Sequence, residues 1–203
     1  ALEKGSDFRG IEGLALKGSN TKEGSAVLKT PVRAPAKNPD DFPFPWRGSL
    51  EGTVTVLASR GCYNHCSFCP VPSFYNQGPL WRGRSPENIA KEMAGLVDQG
   101  VRKFYFADPN FIGPGRRGKQ RILDLLELIT PLNITFGMET RPADLDDEIL
   151  EKLTAAGFNS LLMGIESGSA RVLGNLNKQS AANEGAQAIA LCRRHGIEPE
   201  IGF

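Results

Sequence analysis

The segment Arg60-Gly61-Cys62-Tyr63-Asn64-His65-Cys66-Ser67-Phe68-Cys69-Pro70 sets three cysteines at gaps of three and two residues, directly after the β-branched run Thr53-Val54-Thr55-Val56-Leu57-Ala58. A loop that leaves a strand in this way can wrap three thiolates around one face of an iron-sulfur cluster. Such clusters normally take four cysteines, so three leave one iron without a protein thiolate and open to a substrate or cofactor. The alternative is a structural zinc, but closed zinc sites want four ligands, commonly as separated pairs, and His65 inside the loop is poorly placed to be the fourth. Three unligated buried cysteines fit worse, because a Gly- and Pro-bounded loop here falls at the active-site mouth of a β/α barrel.

Downstream, short β-branched or aromatic runs alternate with amphipathic helical patterns, the mark of β/α units around a parallel sheet. Strands are expected at 53–58, 103–108, 134–140, 160–166 and 198–203. A first helix has Ser85 as N-cap and Pro86 at its first position, with Ile89, Met93, Leu96 and Val97 on one face and Gly100 as its stop. A second runs from about Lys119 to Ile129, where Pro131 bars continuation. A third opens at Asp144, buries Leu145, Ile149, Leu150 and Leu153, and ends at Gly157. A short helix at 170–176 and a longer one at about 181–195 complete the pattern. The expected fold class is α/β: a partial parallel (β/α) TIM-like barrel over 51–203, with five of its units visible.

Residues 1–50 hold many Gly and Pro residues and no sustained periodicity, so they are expected to form an irregular linker or arm. Of 203 residues, 40% are hydrophobic and 23% charged, enough for one sizeable core. The formal charge of +1 gives no field for steering nucleic acid or holding an anionic membrane. No run approaches the roughly eighteen apolar residues of a membrane span, and Ala1-Leu2-Glu3-Lys4 lacks the build of a signal peptide. Three of four cysteines crowd together, which suits a metal site in a reducing compartment, so the cytoplasm is the expected address. The non-Met start and the strand-like end at Phe203 read as an excerpt of a longer protein.

The Cys-x-x-x-Cys-x-aromatic-Cys loop, with Phe68 as the aromatic, after the first strand of a β/α barrel resembles the radical S-adenosylmethionine (SAM) superfamily. That resemblance implies a 4Fe-4S cluster on Cys62, Cys66 and Cys69, whose open iron is chelated by S-adenosylmethionine. One electron then cleaves the sulfonium to a 5′-deoxyadenosyl radical, while the protein orients and shields the chemistry. Trp81-Arg-Gly-Arg-Ser-Pro-Glu-Asn88 and Phe106-Ala-Asp-Pro-Asn-Phe111 are similar to the cobalamin-binding branch. Gly10-Ile-Glu-Gly13 and Asp40-Asp-Phe-Pro-Phe-Pro45 resemble the connector that follows a cobalamin-binding domain there. Cobalamin would then be held by a domain outside this chain.

Active-site groups gather at the C-terminal ends of barrel strands, which ranks the polar residues. Asp108 and Asn110 stand where the family places contacts to the amino group of S-adenosylmethionine, although its usual Gly-Gly-Glu is missing here. Glu139 and Arg141 share the parity of Gly137, and the guanidinium of Arg141 could clamp a carboxylate or simply pair with Glu139. Glu166, in Gly164-Ile-Glu-Ser-Gly168, resembles the family's ribose-contacting segment and could accept hydroxyl hydrogen bonds. The implied partners are a small-molecule or natural-product substrate and an external one-electron donor. Cobalamin-assisted methyl transfer is the expected outcome, with methylthio transfer, cyclisation or rearrangement as rivals.

Other signals are discounted. Gly113-Pro-Gly-Arg-Arg-Gly118-Lys119-Gln120 nearly spells a P-loop but ends in Gln, and Pro114 removes a backbone donor. Cys192 reads as a small core hydrophobe. His65 and His195 have no visible catalytic partner.

Overall fold

The computed structural model describes residues 7–21, 24–74 and 81–203. The chain divides into two compact units, 1–35 and 36–203. In the first, β1 (Ala15–Thr21) and β2 (Gly24–Lys29) form an antiparallel pair, with Leu16 opposite Leu28 and Lys17 opposite Val27. No regular element was expected there. The pair lacks a long alternating run, and its order comes from pairing across the hairpin, which local periodicity does not record. Gly18 allows the close approach: a Cβ there would lie 2.9 Å from the Ala26 carbonyl oxygen.

Residues 36–50, read as linker, pack as part of the second unit. The Asp40 carboxylate accepts from the Ser85 amide at 3.0 and 3.2 Å, and Arg47 and Arg84 both pair with the buried Glu92 at 2.6 Å.

Five parallel strands make the main sheet: β3 (Val54–Val56), β6 (Lys103–Phe106), β7 (Thr135–Thr140), β8 (Phe158–Gly164) and β9 (Glu200–Gly202), in that spatial order. Strands adjacent in this order are also consecutive along the five, as in a β/α barrel segment, and β3 and β9 are open edges. Between β3 and β6 the chain adds a ribbon, β4 (Ser59–Gly61) paired antiparallel with β5 (Trp81–Gly83), and a short helix α1 (Pro70–Phe74). None of these three was expected. Their lengths of three to five residues carry no periodic signal.

The connecting helices are α2 (Pro86–Asp98), α3 (Gly115–Ile129), α4 (Asp147–Ala155), α5 (Ala170–Asn175) and α6 (Glu184–Arg194). Ser85 caps α2 as expected, its side chain accepting from the Asn88 amide at 3.1 Å. The expected start of α4 at Asp144 is corrected to Asp147. Asp146 is the N-cap, accepting from the Ile149 amide at 2.9 Å, because Pro142 opens a short 3-10 turn that ends at Asp144.

One face of the sheet is dry. Val54, Val56, Phe104, Phe106, Phe136, Met138, Leu161 and Met163 join Ile89, Met93, Ile122, Leu125, Leu126, Ile149, Leu150 and Leu153 in one core. Phe106 lies 4.4 Å from Phe111 and 5.6 Å from Phe136 between ring centroids. Each fully buried ring of this kind contributes about 1.5–3 kcal/mol. Cys192 is buried in the same core. The alternate residues, Thr55, Tyr105, Glu139 and Leu162, point to the other face.

Candidate functional site

The cysteine loop is held before it reaches its first cysteine. Asp108, past the end of β6 and wholly buried, accepts from the Ala58 amide at 3.0 Å and the Ser59 hydroxyl at 2.5 Å. Burial pushes its carboxyl up to about 6, against the opposing effect of those hydrogen bonds. A second tie uses Asn110, whose amide donates to Asp144 at 2.7 Å and whose oxygen accepts from the Gly113 amide. The other Asp144 oxygen accepts from the Tyr63 hydroxyl at 2.5 Å. Burial first, then Asp144, raises the Tyr63 phenol well above its ordinary range.

Cys62, Cys66 and Cys69 are half-buried free thiols that line one cavity of about 290 Å³. Burial raises the Cys62 thiol above its ordinary value, with Arg141 opposing. Phe68, Glu139, Arg141 and Glu166 line the same cavity. Asp108 and Asn110 are not among the residues that line it, although Pro109 between them is. Their polar atoms are occupied by the turn and loop they brace, so their place is beneath the site.

On the cavity wall Arg141 stacks over the Tyr63 ring at 5.3 Å and donates to the carbonyls of Lys178 and Gln179 at 3.3 and 3.0 Å. Among the described residues its Nε is buried with no hydrogen-bond partner, as are Thr140 Oγ1 and Asn64 Oδ1, all three on residues of this wall. Among the described residues Glu139 makes no ion pair with Arg141 and instead accepts from the Tyr105 hydroxyl at 3.1 Å. Burial, then Glu139, pushes the Tyr105 phenol up to about 12.

Glu166 has φ +64°, in the left-handed region, and its carboxylate pairs with Lys178 at 3.1 Å. Its amide donates to the Gly202 carbonyl at 2.9 Å, tying β8 to β9. Gly164 leaves room for this pair, since a Cβ there would lie 2.6 Å from Glu166 Oε1 and 3.2 Å from Lys178 Nζ. Lys178, Asn64 and Asp144 escaped the sequence reading. Lys178 sits in a loop between helices, where a lone Lys reads as solvent-facing, yet it is only 6% exposed. Asp144 reads as a helix cap. Asn64 lay inside the quoted motif, and its place between two cysteines was the available signal.

A second cavity of about 190 Å³ lies among Phe42, Phe44, Arg60 and Arg84. It contains none of the cysteines. Among the described residues no three His, Cys, Asp or Glu side chains gather around a single metal-ion position. No helix among them is long and apolar enough to cross a membrane.

An open parallel β/α sheet, with three thiols in the loop after its first strand and a cavity at the strands' C-terminal ends, is the layout of a radical SAM domain. The chain belongs to that superfamily: the model described as "Radical SAM superfamily" matches residues 56–203. It is 28% identical to an uncharacterized methyltransferase of Pyrococcus horikoshii, over 97% of this chain and 43% of that protein. It is 26% identical to a putative methylthiotransferase of Methanocaldococcus jannaschii, over 95% of this chain and 44% of that protein. The cobalamin-dependent S-adenosylmethionine radical enzyme OxsB, with aqua-cobalamin and S-adenosylmethionine bound, is similar in structure. Its TM-score is 0.76 at 26% identity, covering 100% of this chain and 30% of OxsB. The chain thus spans less than half the length of these relatives.

Proposed function

We propose that Cys62, Cys66 and Cys69 hold a 4Fe-4S cluster, that the adjoining cavity takes S-adenosylmethionine, and that the whole protein methylates a small-molecule substrate with the help of cobalamin. The observation that carries this reading is the shared cavity: three thiols, Arg141 and the Lys178–Glu166 pair line one space. The donor set fits the group. Three cysteines that line one cavity can each hold a separate iron and leave one iron free.

When bound, the cluster supplies the single electron that cleaves the sulfonium of S-adenosylmethionine. The protein's own part is placement. Arg141, on the cavity wall, offers its guanidinium to the cofactor's carboxylate, and the buried cation of Lys178 adds to the attraction. Glu166, in the left-handed region and paired with Lys178, presents a carboxylate to ribose hydroxyls. Phe68, 52% exposed, shields the cysteine end of the cavity. An external one-electron donor is required.

Methyl transfer is supported by the named methyltransferase relative, and cobalamin by the likeness to OxsB. Methylthio transfer is the second reading, favoured by the Methanocaldococcus relative. Full-length protein, reconstituted anaerobically with iron, sulfide, reductant and S-adenosylmethionine, is expected to form 5′-deoxyadenosine, and Cys66→Ala is expected to form none. Equal product from both proteins would refute the cluster assignment. Added methylcobalamin distinguishes methylation, which should depend on it, from methylthiolation, which should not.

A further inference from the structure

The loop bearing the cysteines is sewn to a segment more than a hundred residues away. Ser67 donates through its amide to the Leu176 carbonyl at 2.9 Å and through its hydroxyl to the Asn175 carbonyl at 3.4 Å. In the reverse direction the Asn177 side chain donates to the His65 carbonyl at 2.8 Å. Asn64 donates to the Lys178 carbonyl at 2.8 Å, and Arg141 reaches the Lys178 and Gln179 carbonyls. Residues 175–179 therefore form a strap across the loop. Its backbone is unusual: Asn177 and Gln179 have φ +49° and +53°, a region that non-glycine residues rarely occupy and that Asn tolerates better than most. The two left-handed residues flank Lys178, whose carbonyl receives both Asn64 and Arg141.

Asn64 lies between Cys62 and Cys66 and is only 3% exposed. The amide nitrogen anchored on the strap also points at Cys66 Sγ, 3.4 Å away. An N–H aimed at a cluster thiolate stabilises the more negative, reduced state more than the oxidised one, so it raises the reduction potential. We infer that Asn64 is a positioning residue of the cluster site: the strap fixes its side-chain amide, which donates to Cys66 Sγ, raises the potential of the cluster and slows its loss. This rests on the reading that the three cysteines hold a cluster. Burial explains why the contact persists, since water that would compete for either partner is excluded from a side chain so enclosed.

The test uses full-length protein reconstituted anaerobically with iron and sulfide, in wild-type, Asn64→Ala and Asn177→Gly forms. Gly accepts the left-handed backbone of position 177 while deleting the side chain that grips His65. Iron and sulfide content, the midpoint potential from a dye-mediated titration, and the rate of bleaching by an iron chelator are measured for each. Asn64→Ala is expected to bind the same iron and sulfide with a more negative midpoint. Asn177→Gly is expected to lose iron at least about threefold faster, the kinetic equivalent of one lost hydrogen bond. If both variants match wild type in potential and bleaching rate, the inference is wrong. Should Asn64→Ala fail to fold, Asn177→Gly decides: bleaching at the wild-type rate overturns the strap. A wild type that takes up no iron and sulfide instead removes the underlying cluster reading, a result visible before any variant is compared.

Discussion

The two faces of the main sheet come from the same strands and alternate residues, yet they are built by opposite rules. Phe104, Phe106, Phe136 and Met138 lie on the helix-covered face with 2% exposure or less, packed with the apolar side chains of the helices. Tyr105, Glu139, Arg141 and Gly164 alternate with or follow them, and there the structure keeps an ion pair and a stacked guanidinium beside the cavity. The first face is stabilised by buried apolar area; the second holds polar and charged side chains. A residue's contribution therefore depends on its parity along the strand more than on its type.

Breaking the dry face should have the largest effect on folding. Phe136→Ala is expected to cost about 3–5 kcal/mol, read as a fall in denaturation midpoint. Glu139→Gln, three residues along on the other face, should stay within about 1 kcal/mol of wild type in the same experiment. Equal losses would show that the two faces are not separate in energy.

Asp108 lies under the site and sharpens the contrast by its titration. Its folded value of about 6 stands above the ordinary carboxyl value of 3.8, so the folded state holds the proton more tightly. The resulting stability is present below the unfolded value and is lost as pH rises through the folded one. Over that window the wild type should lose on the order of 2–3 kcal/mol that Asp108→Asn does not. Unfolding free energies at several pH values check this, and parallel slopes in the two proteins would contradict it.

On the polar face, Arg141→Leu is expected to weaken S-adenosylmethionine binding about tenfold, or about 1.4 kcal/mol. Calorimetric titration of the reconstituted protein measures it. Gly164→Ala should produce a smaller loss of affinity, about threefold, because a Cβ forces Glu166 and Lys178 apart by tenths of an ångström rather than deleting either. Unchanged affinity in both variants would place the cofactor elsewhere.

Much of this arrangement was legible in residue order. The five strands of the sheet were placed to within a few residues, because each combines β-branched or aromatic residues with flanking Gly or Pro. The helices were recognisable from apolar spacing, and Ser85 from its position before Pro86. Of the candidate site, the cysteines, Phe68, Glu139, Arg141 and Glu166 do line one cavity, since strand parity and position at the C-terminal ends are sequence properties. Asp108 and Asn110 follow the second strand but share the parity of Phe104 and Phe106, and their polar atoms are taken up by Ala58, Ser59 and Asp144, contacts between distant segments that no local pattern records. The hairpin Ala15–Lys29 and the ribbon Ser59–Gly61 with Trp81–Gly83 likewise exist through pairing.

What the sequence determined by itself was chemistry and period: three thiols in one loop, the alternation of strand and helix, and which side of each strand is dry. What only the tertiary structure decided was company. Lys178 became a buried partner of Glu166, Asn64 became the link between Cys66 and residues 175–179, and Arg141 turned to carbonyl groups instead of to Glu139. The reason is physical. Periodicity follows from bonds between neighbours along the chain, whereas hydrogen bonds across a hundred residues form only after the core has closed and excluded the water that would otherwise take their place.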